Sequence, residues 1–472
     1  MLKNFFLEQI LKNFPFEPTG EQYLALEKLS SFLFDRNDDA LFLLKGYAGT
    51  GKSSLVGALV KTMNELKQKS VLCAPTGRAA KVFAAYAGQN AYTIHKKIYR
   101  QKVFSNEPVG FVQADNLHKH TLFIVDEASM ISNGGSDSFG FGSGRLLDDL
   151  IHYVYSGEGC RLILLGDSAQ LPPVSETESP ALDSNVLKGY GLEIHTITLT
   201  QVVRQAEKSG ILMNATLLRK TLEEGQANEF PQIKTKQYTD VKVVTGDELI
   251  ETISDMYNRD GIAETIVITR SNKRTGIFNK GIRNRILFRE EELTSGDLLM
   301  VAKNNYYWAK NEASIDFIAN GDLMEVTKVR KVQELYGFRF CDVSVRFPDY
   351  GVEMDLKILL ETLHADSPSL PKELSDKLFY NVLEDYADIS GKREKMKQMK
   401  ENPYFNVLQV KYAYAITCHK AQGGQWKNVF LDLSYVPREY LGIDFYRWLY
   451  TAFTRASDQL FLVNPTKDLL KS

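Results

Sequence analysis

The sequence predicts an α/β protein of two lobes, the second interrupted by a small β-barrel, and three observations carry that prediction. Short continuous apolar runs recur with helical segments between them: ALFLL at 40–44, SVLCA at 70–74, TLFIVD at 121–126 and RLILLGD at 161–167, then TIVITR at 265–270, NVFLDL at 428–433 and QLFLV at 459–463. Runs bounded in this way by polar, Gly or Pro residues are what strands buried on both faces of a parallel sheet look like, and their two groups make two lobes. Between about 296 and 405 the texture changes to SGDLLMV, NGDLMEVTKV, FRFCDVSVRF and GVEMDLKI. These alternating segments end in Gly-Asp or Pro-Asp turns and precede a polar helical stretch, as in a small antiparallel barrel. The third observation is length, since 472 residues exceed one hydrophobic core.

The boundaries that follow are 1–195 for the first lobe, 196–295 with 406–472 for the second, and 296–405 for the inserted barrel. The N-terminal MLKNFFLEQILKNF reads as an amphipathic helix, with neither a long apolar core nor a small-residue cleavage site. SNGGSDSFGFGSG (132–144) reads as a loop, and the basic run GKREKMKQMK (391–400) as a solvated helix face or a phosphate-contacting surface.

Composition narrows the classes. Apolar residues at 44% and charged ones at 25% are those of an ordinary globular chain, and no run approaches a membrane span. Cys73, Cys160, Cys341 and Cys418 lack the pairing of a zinc site or a disulfide framework, so a reducing cytosol is expected. The 57 basic and 59 acidic residues nearly cancel, so any nucleic-acid site must be a local groove.

The first motif with chemistry is GYAGTGKSS, where Gly46, Gly49, Gly51, Lys52 and Ser53 match G-x-x-x-x-G-K-[ST] between an apolar run and a helical one. Its glycines let successive N–H groups turn toward one anion, and the helix N-terminus adds positive potential. Lys52 is expected at the β/γ-phosphates of ATP and Ser53 on Mg²⁺, with Thr50 and Ser54 completing the loop. FIVDEASM supplies a second carboxylate site at a strand end: Asp126 for Mg²⁺ through water and Glu127 as general base. LILLGDSAQ ends another strand in Gly166 and Asp167, with Gln170 placed to bond both γ-phosphate and attacking water.

The order of these motifs resembles the superfamily 1 helicases, and within them the RecD-like, Dda-like and Pif-type 5′-to-3′ DNA helicases. The likeness runs from PTGEQ near residue 20 to YTAFTRA near 455. It implies two tandem RecA-like P-loop NTPase domains, with a short strand-splitting hairpin at about 98–118 in the first. It makes Gln22 the adenine-recognition residue, and Arg204 in VVRQ and Arg455 in YTAFTRAS the γ-phosphate arginines. Such arginines stabilise charge only when the cleft closes, which couples hydrolysis to lobe motion. Three stretches resemble the strand-contacting motifs: APTGRAAKV with Pro75, Thr76, Arg78 and Lys81; TIHK with His95; and AYAITCHKAQGGQW with Thr417, His419 and Lys420. Hydroxyls, Lys and His suit a phosphodiester track read without regard to sequence. His95 and His419 also suit a purely structural role.

Phe104, Pro108 and Phe111 are candidates for the splitting hairpin, to stack on the last base pair or to pack the hairpin down. Tyr306 and Trp308 in NNYYW either stack bases or seal the barrel. Gln425 stands where related enzymes often carry Glu, which puts nucleotide-sugar selectivity in question. The short stretch before PTGEQ, unlike the larger stand-alone RecD-like proteins, implies a compact motor, and a monomeric one is expected. DEASM with GYAGTGKS differs from the pattern of the RNA-surveillance helicases, which tilts the expected partner to single-stranded DNA and tailed or forked duplex DNA. Competing readings are a nucleotide-gated binding module, a helicase subunit of a larger complex, and a single-strand translocase that remodels complexes, or acts on RNA, without strong unwinding.

Overall fold

The computed structural model describes residues 2–101, 111–134, 142–202, 209–310, 312, 315 and 317–471. Its first lobe holds β1 (Ala40–Gly46), β2 (Lys69–Ala74), β3 (Ala91–Thr93), β6 (Thr121–Val125), β7 (Arg161–Gly166) and β8 (Glu193–Leu199), with the hairpin β4 (Tyr99–Gln101) and β5 (Phe111–Gln113) to one side. The main sheet is parallel in the order β3-β2-β6-β7-β1-β8. The period of two places Leu41 and Leu43 in one core layer and Phe42 and Leu44 in the other, which is why β1 has no polar face. Helices α1 (Leu2–Asn13), α2 (Gly20–Leu33), α3 (Lys52–Glu65) and α4 (Gly77–Ala87) complete the parts used below.

The second lobe is a parallel sheet of β9 (Val241–Val244), β10 (Thr265–Thr269), β16 (Ala415–Thr417), β17 (Trp426–Asp432) and β18 (Ala456–Val463), in the order β16-β10-β17-β18-β9. Between β10 and β16 the chain leaves to form a closed barrel of β11 (Leu298–Val301), β12 (Leu323–Leu335), β13 (Phe338–Phe347), β14 (Val352–Leu359) and β15 (Leu408–Tyr412). The α/β class with an inserted barrel therefore holds.

Two expected limits shift. The boundary at 195/196 falls inside β8, which pairs with β1 along its length and so belongs to the first lobe. The barrel does not end at 405: β15 closes it, antiparallel to β11 and parallel to β14. A parallel closure needs a long crossover, supplied here by a segment carrying helices Lys372–Glu384 and Lys392–Lys400. The barrel and the second lobe share one core, in which Val326, Val343 and Phe347 join Val267, Phe430 and Phe461.

Candidate active site

The first sheet presents its strand C-termini to the groove between the lobes, where open parallel sheets bind ligands, whereas the second lobe offers the segments that lead into β17 and β18. A cavity of about 390 Å³ there is lined by Gly49, Gly51, Lys52, Ser53, Asp126, Glu127, Asp167 and Gln170 from the first lobe and Gln425, Thr454 and Arg455 from the second.

The loop after β1 turns through left-handed residues Gly49 and Gly51 (φ 75° and 86°), so Cβ-free positions recur where N–H groups must converge. Lys52 Nζ donates to the carbonyls of Gly46 and, at 3.1 Å, Tyr47. Thr50 lies beneath the loop, fully buried, and its hydroxyl donates to the Tyr47 carbonyl at 2.7 Å. Ser54 faces away, into the groove between α1, α3 and α4.

Gln22, expected at adenine, has both amide atoms bonded within the protein. It is 4% exposed, its Nε2 donates to the Thr50 carbonyl at 2.9 Å, and its Oε1 accepts the Thr19 N–H at 2.9 Å. It therefore closes the capping box of α2 and braces the loop from behind.

Asp126 follows β6. Its Oδ1 accepts the Glu127 N–H at 2.8 Å, and its Oδ2 accepts from the Tyr86 hydroxyl at 2.5 Å. Each carboxylate oxygen keeps a second lone pair. With the Ser53 hydroxyl this is a set of hard oxygen donors, the kind Mg²⁺ prefers. Glu127 sits in a left-handed conformation (φ 52°), and burial raises its carboxyl above the ordinary range while Arg455, with Nη1 3.8 Å from Oε1, opposes the shift. Arg455 is 4% exposed and held by the Thr451 and Gly424 carbonyls at 3.1 and 3.3 Å. The Oε1 of Gln170 is buried and, among the described residues, accepts no hydrogen bond. Arg204 lies outside the described residues.

Three residues that sequence reasoning passed over tie the cleft together. Tyr450, on the helix Ile443–Phe453, donates to Asp167 Oδ2 at 2.6 Å and accepts the loop Ala48 N–H at 2.9 Å. Its neighbour Thr451 accepts the Leu171 N–H at 2.8 Å, and Gln422 Nε2 donates to the Leu171 carbonyl at 2.7 Å. The signal available was two hydroxyls inside the otherwise apolar helical run WLYTAF.

The residues expected on a strand track divide. Thr76 caps α4, accepting the Ala79 N–H at 3.2 Å. Thr417 starts the short helix Cys418–Ala421 and makes no capping bond. Pro75 is partly exposed beside Thr76, His419 is exposed, and burial, with repulsion from Lys411, pushes partly buried Lys420 down to about 8.

Arg78 and Lys81 also make contacts across domains. The Arg78 guanidinium stacks 4.0 Å from the Trp426 ring centroid and donates to the Gln425 carbonyl at 3.1 Å, while Lys81 pairs with Asp349 of the barrel at 3.2 Å. Burial pushes His95 down to about 4, so it carries no charge for a phosphate near neutrality; Tyr99 and Phe317 flank its ring at 5.7 and 6.3 Å.

Phe104 and Pro108 lie outside the described residues. Phe111, the third hairpin candidate, is 8% exposed and packs at 4.5 Å on Tyr306 and 6.3 Å on Phe317, so it anchors the hairpin base to the barrel segment. Trp308 packs on the barrel core and donates its indole N–H to the Asn406 carbonyl at 2.9 Å, sealing the barrel.

Residues 21–236 match a family model described as an AAA domain, and residues 412–463 one described as a UvrD-like helicase C-terminal domain. The chain is 26% identical over 450 aligned positions to the ATP-dependent RecD2 DNA helicase of Deinococcus radiodurans, covering 92% of this chain and 48% of that one. It thus spans about half the length of that relative. It is also 24% identical to an uncharacterised protein of Acanthamoeba polyphaga mimivirus, covering 93% of this chain and 98% of that one. Among solved structures, Pif1 helicase from Bacteroides in complex with ADP-AlF3 and ssDNA aligns over 97% of this chain and 95% of that one, at 17% identity and a TM-score of 0.49.

Proposed function

We propose that the chain is a member of the RecD-like and Pif-type group of superfamily 1 helicases, an ATP-dependent DNA helicase that moves 5′ to 3′ on single-stranded DNA and separates tailed or forked duplexes; the two matched domain models and the likeness to a RecD2 DNA helicase support this reading. The observation that carries this reading is the convergence of Lys52, Ser53, Asp126, Glu127 and Gln170 from one lobe with Gln425 and Arg455 from the other in one cleft.

Ser53 and Asp126 would hold Mg²⁺, which when bound supplies neutralising charge to the phosphates. The glycine loop and the N-terminus of α3 bind the phosphate chain. Lys52 exchanges its two loop carbonyls for phosphate oxygens. Glu127 takes the proton of the attacking water, oriented by the Oε1 of Gln170, which accepts no hydrogen bond among the described residues. Arg455 meets the developing charge only while the second lobe is docked, so turnover is linked to closure. Arg204 takes the same role in this reading. Thr76 on the first lobe and Thr417 with Lys420 on the second grip the strand alternately, which turns opening and closing into translocation.

The test is ATP-dependent strand separation on two partial duplexes, one with a 5′ tail and one with a 3′ tail, beside a Lys52→Ala control. Unwinding of the 5′-tailed substrate alone, lost in the control, is expected. Unwinding from the 3′ tail would overturn the polarity. ATPase stimulated by single strands without unwinding would replace the helicase by a translocase that remodels complexes.

A further inference from the structure

Within its eleven residues, α4 touches every part of the proposed motor. Its first turns meet the second lobe, where a Cβ on Gly423 would lie 2.7 Å from the Ala79 Cβ and Arg78 stacks on Trp426. The same turns meet the barrel: a Cβ on Gly77 would lie 2.6 Å from the Tyr350 hydroxyl, and Lys81 pairs with Asp349. Thr76, on the expected strand track, is its N-cap.

The last turn of α4 ends in the phosphate site. Tyr86 is stacked on Phe83 at 5.1 Å and 28°, and its hydroxyl donates to Asp126 Oδ2. The junction with α3 is close-packed, since a Cβ on Gly57 would lie 3.0 Å from the Tyr86 carbonyl oxygen. A packed helix moves as a rigid body rather than bending, so a displacement imposed at Thr76 or Arg78 reaches the Tyr86 hydroxyl.

We infer that α4 is the element that couples strand occupancy to the metal and nucleotide site, with Tyr86 as a positioning residue that orients Asp126 according to what Thr76 and Arg78 contact. The inference rests on the proposed function and adds a path and an end-point to it. Linkage then requires reciprocity: Mg·ADP must change strand affinity by the factor by which the strand changes Mg·ADP affinity.

The test uses the full chain and Tyr86→Phe, which keeps the ring on Phe83 and removes only the hydroxyl. Binding of a labelled oligothymidylate is measured with and without saturating Mg·ADP, and binding of a fluorescent ADP with Mg²⁺ is measured with and without the oligonucleotide. In the wild type a mutual factor within the usual range of about 5 to 150 is expected. In Y86F that factor collapses to within about two-fold of unity, while affinity for the oligonucleotide alone is retained.

Thermal denaturation checks that Y86F folds. If it does not, Gly57→Ala gives the same readout, because its methyl presses on the Tyr86 carbonyl and shifts the hydroxyl without removing it. A wild-type coupling factor in a folded variant overturns the inference. So does a wild-type chain whose ATPase responds to single strands while Mg·ADP leaves strand affinity unchanged, and that outcome leaves the proposed function standing. Failure of the wild type to bind single strands brings down the proposed function itself.

Discussion

Tyr450, on the second lobe, donates its hydroxyl to Oδ2 of Asp167, on the first, at 2.6 Å, and both residues are almost fully buried. Among the described residues the Asp167 carboxylate accepts one other bond, from the Ala169 N–H at 3.0 Å, and burial raises it above the ordinary range. The same Tyr450 oxygen accepts the Ala48 N–H, so one atom joins the phosphate loop, the strand end after β7 and the second lobe.

Tyr450→Phe tests this bridge. Leaving a buried carboxylate with one donor fewer costs about 1–3 kcal/mol, and the cost falls on the docked arrangement of the lobes. The KM for ATP is expected to rise by roughly tenfold, with a matching loss in a fluorescent-nucleotide titration. An unchanged KM would show that the bridge does not contribute to closure.

Glu127→Gln and Arg455→Ala separate binding from chemistry. The amide keeps the size of the side chain but cannot take a proton, so turnover should fall by about 10²–10⁴ while nucleotide still binds. Loss of the arginine should lower turnover by about 10³. Single-turnover assays with radiolabelled ATP read both, and hydrolysis within a few-fold of wild type in either variant would remove that residue from its role.

Lys420 gives strand binding its own pH dependence. Its ammonium is pushed down to about 8 by burial, with Lys411 adding repulsion, so the charge is present at pH 7 and lost as pH rises through that value. Oligonucleotide affinity should weaken between pH 7 and 9, and the slope of log Kd against log salt should shrink by about one contact. Lys420→Arg should keep both constant over that range; a wild-type profile that is flat would place Lys420 off the track.

Asp322 sets a second pH dependence, in stability. Burial raises it from 3.8 to about 7 with Asp349 adding repulsion, while the Ala319 N–H at 2.7 Å and the Tyr350 hydroxyl at 2.9 Å donate to it. Asp349 in turn pairs with Lys81 of α4. Between those pH values the folded chain holds a proton the unfolded chain has released, so stability falls as pH rises through the window and levels off above it. Asp322→Asn should raise Tm relative to wild type at pH 8 and lose that advantage near pH 4. A constant difference across the range would contradict a buried titrating carboxyl.

The phosphate loop was legible because its chemistry is contiguous. A strand, a turn needing left-handed residues and a helix N-terminus follow one another within Gly46–Ser53, and backbone geometry allows few other uses for that order. The parallel sheets were legible for a similar reason, since β1 and β7 are apolar on both faces. The closing barrel strand was misjudged because LQVKY carries the alternation of a barrel strand yet directly precedes the second-lobe strand Ala415–Thr417.

Side-chain partners across the cleft are a different matter. Local sequence marks Arg78 and Lys81 as candidate phosphate ligands but says nothing of the partners packing provides, a carbonyl 347 positions away for Arg78 and one 267 positions away for Lys81. Gln22 suits adenine by type, yet packing turns it toward Thr50. The sequence by itself determined the two lobes, the anion-binding loop and the carboxylates at the strand ends, because each follows from propensity and backbone geometry over a few consecutive residues. Only the tertiary structure decided that Tyr450 bridges the lobes, that Tyr86 holds Asp126 and that α4 joins three domains, because a hydrogen bond between distant side chains is chosen by which surfaces pack together.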